Sequence, residues 1–361
     1  MKIIVFIALL MLFVISAGCA SETEGHYNRY SESIFDTFDT LVRVVAYNEN
    51  EDEFRHYFET IHSRLQRLHK LYDIYNSYEG INNIKTINDN AGIRPVKVDR
   101  EIIDLILFSR EWSEKTGGSV NIALGPVLEI WHNYREEAFY DPESAVLPPL
   151  EKLVEAAEYT DLDQVIVDLE NSTVFLPDSR MSLDVGAVAK GFALELVAQE
   201  VAEDGLESAI ISAGGNIRMI GRPLDGERNR WGIGVQDPDA SVIGGSDNLL
   251  DVIYLSEGSV DTSGDYQRYY IVDGELVHHL IDPETLMPAT YYRAVTVSAS
   301  GSGPADFIST ALFLIPFEES LALVESLDNF EALWVMPDGE VRMTEGMQAL
   351  LRSHGATSLD Q

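Results

Sequence analysis

From residue 180 onward the chain is cut into short apolar stretches by glycine-bearing turns of two to six residues, and this spacing most restricts the fold. Connections that short join antiparallel neighbours, because a parallel crossover needs a dozen or more residues. "SAIISAGGNIRMIG", "NRWGIGVQDP", "LLDVIYLSEGSVDTSG", "QRYYIVDG" and "ELVHHLID" read as such strands, with "MSLDV" as another. Helical periodicity is strongest earlier. Residues 51 to 72 set Phe54, Phe58, Ile61, Leu65 and Leu68 at helical spacing, and residues 99 to 115 do the same with Ile102, Ile103, Leu105, Ile106 and Trp112. Asp99 would cap the second helix and Gly117-Gly118 would close it. Residues 34 to 48 read as one strand, "PESAVLPPLEKLVEAAEY" as a proline-rich loop and helix, and "QVIVDLENSTVFLPDS" as a hairpin. Helices also cover residues 187 to 204 and begin in "PADFISTALFLI". The expected class is α+β, with a largely antiparallel sheet and packed helices, not a doubly wound nucleotide fold. No linker is visible after residue 33, so residues 34–361 are expected to form one domain.

The first residues address the chain. Lys2, the apolar run Ile3 to Ile15 and Ser16-Ala17-Gly18-Cys19 make a signal peptide over residues 1–18, too short for a stable membrane span. Cys19, the sole cysteine, sits where a bacterial lipoprotein is cleaved and lipidated, although Ser16 stands where an aliphatic residue is usual. Residues 19–33 are polar and read as a tether, which places the protein on the extracytoplasmic side of a membrane. With 60 acidic against 25 basic residues, the net charge of −35 excludes nucleic acid as a partner and requires any anionic ligand to be held by local features.

Five segments could carry chemistry. In "SLDVGAVAKGFALE", Asp184 and Gly186 precede a helix start where free N–H groups and Lys190 suit a phosphate, although an ordinary buried helix start explains the same residues. Gly214, Gly215 and Asn216 sit between two strands, as a close backbone approach to a ligand or a plain hairpin. Around Gly264 gather Thr262, Ser263, Asp265, Tyr266, Arg268 and Tyr269. In "GPADFISTALFLI", Asp306 and Thr310 share a helix face and could offer oxygen ligands to Mg2+, with an N-capping role for Asp306 as the competing account. In "VHHLIDPETLMP", strand alternation sends His278 and His279 to opposite faces, so they cannot easily chelate one ion.

In this order the segments "LDVGAVAKGFALE", "SAGGNIRMIG", "TSGDYQRYY", "HHLIDPETLMPA" and "ADFISTALF" resemble the FAD:protein FMN transferases of the ApbE family, over most of the chain after residue 34. The resemblance implies transfer of FMN from FAD to a threonine hydroxyl of an exported or membrane-associated acceptor protein, with release of AMP. It implies a Mg2+ site of Asp306, Thr310 and the Ala187 carbonyl, and FAD contacts at Asp184, Lys190 and Ile281. Ser119, Val120 and Asn121 match a flavin-site stretch in which aspartate is more usual at the last position, and Tyr75 and Asn88 fall in the segment lining the adenine side. Gly214 to Asn216 would approach the nucleotide, with Thr262 and Ser263 nearby. His279 is the expected base, by virtue of a histidine's ordinary titration near 6.5, with Asp265 as the alternative. Leu286 and Met287 replace the family's Thr-Gly turn. A Mg2+-dependent FAD pyrophosphatase and a non-catalytic FAD-binding lipoprotein are the rival readings.

Overall fold

The computed structural model describes residues 27–240 and 248–359; the leader, Cys19 and the first part of the expected tether lie outside the described residues. Strand β1 (Asn28–Thr37) already begins inside that tether, and it pairs with β2 (Thr40–Asn48). The single strand expected over residues 34 to 48 is therefore one and a half arms of a hairpin. Its turn residues Phe38 and Asp39 take left-handed φ values of 53° and 49° with no glycine to signal them.

Helix α1 (Glu51–Tyr72) is capped by the Asn50 side chain, and α2 (Ile84–Asp89) by Asn83. After β3 (Val96–Lys97) comes α3 (Arg100–Lys115), where Asp99 occupies the cap position without capping and instead pairs with Arg67 at 3.2 Å. Next are α4 (Gly125–Tyr140), α5 (Leu150–Ala157), the hairpin β4 (Ile166–Asp168) and β5 (Thr173–Phe175), and α6 (Ala189–Glu203). "MSLDV" is extended but joins no sheet: the Leu183 peptide bonds the Asn88 amide on both sides, at 2.8 and 2.9 Å, and the Asp184 N–H donates to the Ile122 carbonyl. The remaining strands are β6 (Ala209–Ala213), β7 (Asn216–Ile220), β8 (Trp231–Gln236), β9 (Leu249–Leu255), β10 (Gly258–Gly264), β11 (Tyr269–Val272), β12 (Glu275–His278), β13 (Ala294–Ala299), β14 (Glu331–Val335) and β15 (Val341–Met343). Between and after them lie α7 (Ser302–Phe313), α8 (Phe317–Glu325) and α9 (Glu345–Leu350).

The main sheet runs β1-β2-β6-β7-β10-β13-β14-β15, antiparallel at each pairing. This is the α+β arrangement expected from the short connections. Helices α1, α6, α7 and α8 cover one face, while the β8–β9 ribbon and α9 cover the other through Trp231, Ile253 and Met347. With both faces covered, all six residues of β13 are buried, Thr296 and Ser298 among them. A third apolar cluster, with Trp131, Leu153, Tyr270 and Val277, packs α4 and α5 against the β11–β12 ribbon. No helix among the described residues is long and apolar enough to cross a membrane.

Candidate active site

Helices α6 and α7 cross at Gly191. A Cβ there would lie 2.3 Å from Asp306 Cβ and 2.5 Å from the Ser302 carbonyl oxygen, so the approach requires glycine. It lets the Gly191 N–H donate to Asp306 Oδ2 at 2.8 Å. The start of α6 thus holds a carboxylate of its own chain, at the N–H groups the sequence offered to a phosphate. Helix α7 begins at Ser302, whose N–H donates to Glu195 at 2.6 Å, and Glu195 is paired with Arg218. Asp306 therefore lies more than a turn inside the helix and is not its cap. Thr310 follows on the same face, 3.2 Å from Ser263 Oγ.

Asp306, Thr310, Ala187, Lys190 and Ser263 line one cavity of about 670 Å3. Among the described residues no cluster of three or more His, Cys, Asp or Glu side chains could hold a metal. A carboxylate, a hydroxyl and a carbonyl do fit Mg2+, which is commonly held by one or two carboxylates and completed by water and phosphate oxygens. Beneath them Asp261 is fully buried with its Oδ1 unpartnered, and burial together with the neighbouring Asp306 pushes its carboxyl well above the usual range. Replacing Gly191 with alanine would wedge the two helices apart. We expect a loss of about 1–3 kcal/mol in denaturant unfolding and a raised Mg2+ requirement in any turnover assay.

A further part of the lining comes from α4 and from the segments that flank the β11–β12 ribbon. His279 follows β12, and its Nδ1 lies 3.2 Å from the Arg268 carbonyl oxygen. A carbonyl only accepts, so the ring proton sits on Nδ1 and the lone pair on Nε2. Burial, then the guanidiniums of Arg268 and Arg135, push its pKa down to about 3, far from the near-neutral titration expected from sequence. His278 faces the core, with Nε2 2.7 Å from the Ala289 carbonyl oxygen and its ring edge-on to Phe313; burial lowers its pKa too. Both rings are held neutral in the fold, whereas the unfolded chain protonates them below 6.5. The unfolded state then binds more protons, so stability falls as pH drops from 6.5 toward about 3. In thermal unfolding across that window, His279→Asn is expected to lose less Tm than the parent chain.

Most of the other expected contacts also line this cavity. Tyr75 packs at a tilt against His132, ring centroids 5.1 Å apart, and is pushed up to about 12 by burial and by Asp184. Burial also raises Asp184, against the pull of the Gly186 N–H on its Oδ1 at 2.8 Å. Val120, Thr262 and Ile281 reach the lining, as does Ser119, whose buried hydroxyl has no partner. Asn121 lines it as well, but its amide already caps Ala123 and donates to the Thr160 carbonyl. Gly214 (φ 56°) lines it too, but its close approach is to Thr40 of the same chain, where a Cβ would meet Oγ1 at 2.1 Å.

Four expected positions fall elsewhere. Asp265 does not line the cavity: its Oδ2 is locked to Arg293 Nε at 2.7 Å, and Arg293 also binds Asp239, so it is no free base. Gly215 completes the β6–β7 turn, and Asn216 is buried below the cavity, accepting from Lys190 Nζ. Asn88 spends its amide on Leu183 and borders a second cavity of about 760 Å3 that adjoins the first across Tyr75, His132 and Asp184. The substitution at Leu286-Met287 is absorbed by the turn: Leu286 adopts φ 61°, and its carbonyl accepts from Trp131 Nε1 at 3.0 Å. The sequence reading missed Asp261, His132 and Arg135. The one signal for Arg135 is a cation standing in the acidic stretch "EIWHNYREEAFYDPE".

The model of the ApbE family matches residues 38–334. A FAD:protein FMN transferase of Treponema pallidum is 34% identical over 277 residues, 73% of either chain. One from Klebsiella pneumoniae is 29% identical over 267 residues, covering 72% of this chain and 77% of the relative. Among solved structures, an ApbE protein from Thermotoga maritima matches with a TM-score of 0.77 at 30% identity, over 90% of this chain and 99% of that one. A flavin transferase ApbE from Vibrio cholerae has the same fold, with a TM-score of 0.72 at 20% identity over 90% of this chain and all of the other (100%).

Proposed function

The chain belongs to the ApbE family and is a flavin transferase, and on that premise we propose that it cleaves FAD at the diphosphate and passes FMN to a threonine hydroxyl of an acceptor protein, releasing AMP. The observation carrying this reading is that one cavity joins a hard oxygen set, from Asp306, Thr310 and Ala187, to a histidine whose Nε2 is free to accept a proton. Its volume of about 670 Å3 is within the range of small-molecule and cofactor sites. The hydroxyl oxygen of the acceptor forms a bond to the phosphorus of the FMN half while its proton passes to His279 Nε2. The bond from that phosphorus to the bridging oxygen breaks, and AMP leaves with that oxygen. Asp306, Thr310 and Ala187 would hold Mg2+, which when bound offsets charge on the diphosphate. The lipobox-like segment around Cys19 supports a lipid-anchored protein whose acceptors are exported or membrane-associated.

The test is incubation with FAD, Mg2+ and exported threonine-bearing flavoproteins, followed by mass spectrometry. An acceptor heavier by FMN less water, with AMP in step, is the expected result. FMN and AMP with an unlabelled acceptor would make the protein a pyrophosphatase; retained, intact FAD would make it a carrier.

A further inference from the structure

We propose that Arg135 and Arg268 are catalytic residues that grip the non-bridging oxygens of the phosphoryl group as it is transferred; this rests on the transferase reading above. Arg135 comes from α4 and Arg268 from the approach to β11, yet both line the cavity and both act on the same ring, His279. Neither has a carboxylate within 4 Å among the described residues; the nearest hydrogen-bond partner of Arg135 is His132 Nδ1, at 2.9 Å. Other arginines of the described residues without a carboxylate, such as Arg43, Arg110 and Arg222, bond neutral acceptors elsewhere, so what sets Arg135 and Arg268 apart is their shared place on the cavity lining. Burial lowers the pKa of Arg135, and Arg268 lowers it further. Asp184, on the same lining but outside pairing distance, is the carboxylate that acts on both, and burial raises its own pKa; two like charges in a partly dry pocket then still favour a further anion.

The placement suits the reaction. Lys190 and the oxygen set stand on the α6–α7 wall, and the two guanidiniums stand on the wall that carries the base. A phosphorus attacked by a hydroxyl beside His279 has its equatorial oxygens facing these forks. Planar five-donor groups match that geometry and stabilise the charge that develops there. They also keep His279 neutral, and so able to accept the proton.

Arg135→Gln and Arg268→Gln are each expected to lower kcat for AMP release by about 10²- to 10³-fold, with FAD affinity, read by flavin fluorescence, falling by about tenfold or less. Calorimetric affinity for inorganic pyrophosphate with Mg2+ should drop by at least about tenfold in each. Methylguanidinium should restore turnover to Arg135→Ala and Arg268→Ala and not to His279→Asn. If both Gln variants match the parent in kcat and pyrophosphate affinity, the proposal is overturned while the transferase reading stands. If the parent releases no AMP but binds pyrophosphate through both arginines, the transferase reading fails and the anion grip remains.

Discussion

Under the proposed reaction, changing Asp306 to alanine is expected to abolish Mg2+-dependent AMP release, and the asparagine variant to keep about one part in 10³ or less of it. The two substitutions separate charge from architecture. Asparagine retains an oxygen for the Gly191 N–H, so the α6–α7 crossing survives and thermal unfolding stays close to that of the parent. What it loses is the negative charge, in a wall whose other expected ligands, the Thr310 hydroxyl and the Ala187 carbonyl, are neutral. Alanine removes both, and leaves Gly191 with an unpaired donor in a buried crossing. Titrating Mg2+ against AMP release measures the effect; full activity in either variant would remove Asp306 from the metal site.

Replacing His279 with asparagine is expected to slow transfer by about 10²- to 10⁴-fold while leaving FAD binding largely intact. Asparagine can still donate to the Arg268 carbonyl through its amide, so the loss isolates the Nε2 lone pair. The pH profile adds a second readout. kcat/KM reports the free enzyme, where His279 titrates at about 3, so its acid limb should lie far below 6.5 and the curve should be flat across pH 5 to 7. An anion that neutralises Arg135 and Arg268 raises the ring's pKa, so the limb in kcat moves upward relative to that in kcat/KM. Unchanged rates in His279→Asn would take the base role from this residue, and Asp265, tied to Arg293, is not placed to inherit it.

How legible all this was from the sequence depended on where hydrogen bonds went. Helices α1 and α3 were readable because each buries one apolar stripe, and antiparallel pairing followed from turn lengths. The β1–β2 turn was hidden because Phe38 and Asp39 both take left-handed φ values without the glycine that usually marks such a turn. "MSLDV" looked like a strand because its backbone is extended, but its partners are the Asn88 amide and the Ile122 carbonyl, which no local pattern reveals. Motif resemblance singled out Asp306, Thr310 and His279, which the structure gathers on one cavity, together with Asn88, Gly215, Asn216 and Asp265, which lie outside its lining. Arg135 was invisible because its importance lies in what converges on it from the β11–β12 ribbon, more than a hundred residues away.

The two walls of the cavity do not share one foundation. The metal-side residues stand on helices packed against the main sheet, whereas His132, Arg135, Arg268 and His279 stand on or flank elements of the smaller α4–α5–ribbon cluster. Small clusters open at lower free energy than the core they adjoin. On warming, amide exchange in α4 and the ribbon should therefore rise before that in α6 and α7. Turnover would then fall while Asp306, Thr310 and Ala187, the proposed ion ligands, stay in place, so that heat uncouples chemistry from capture.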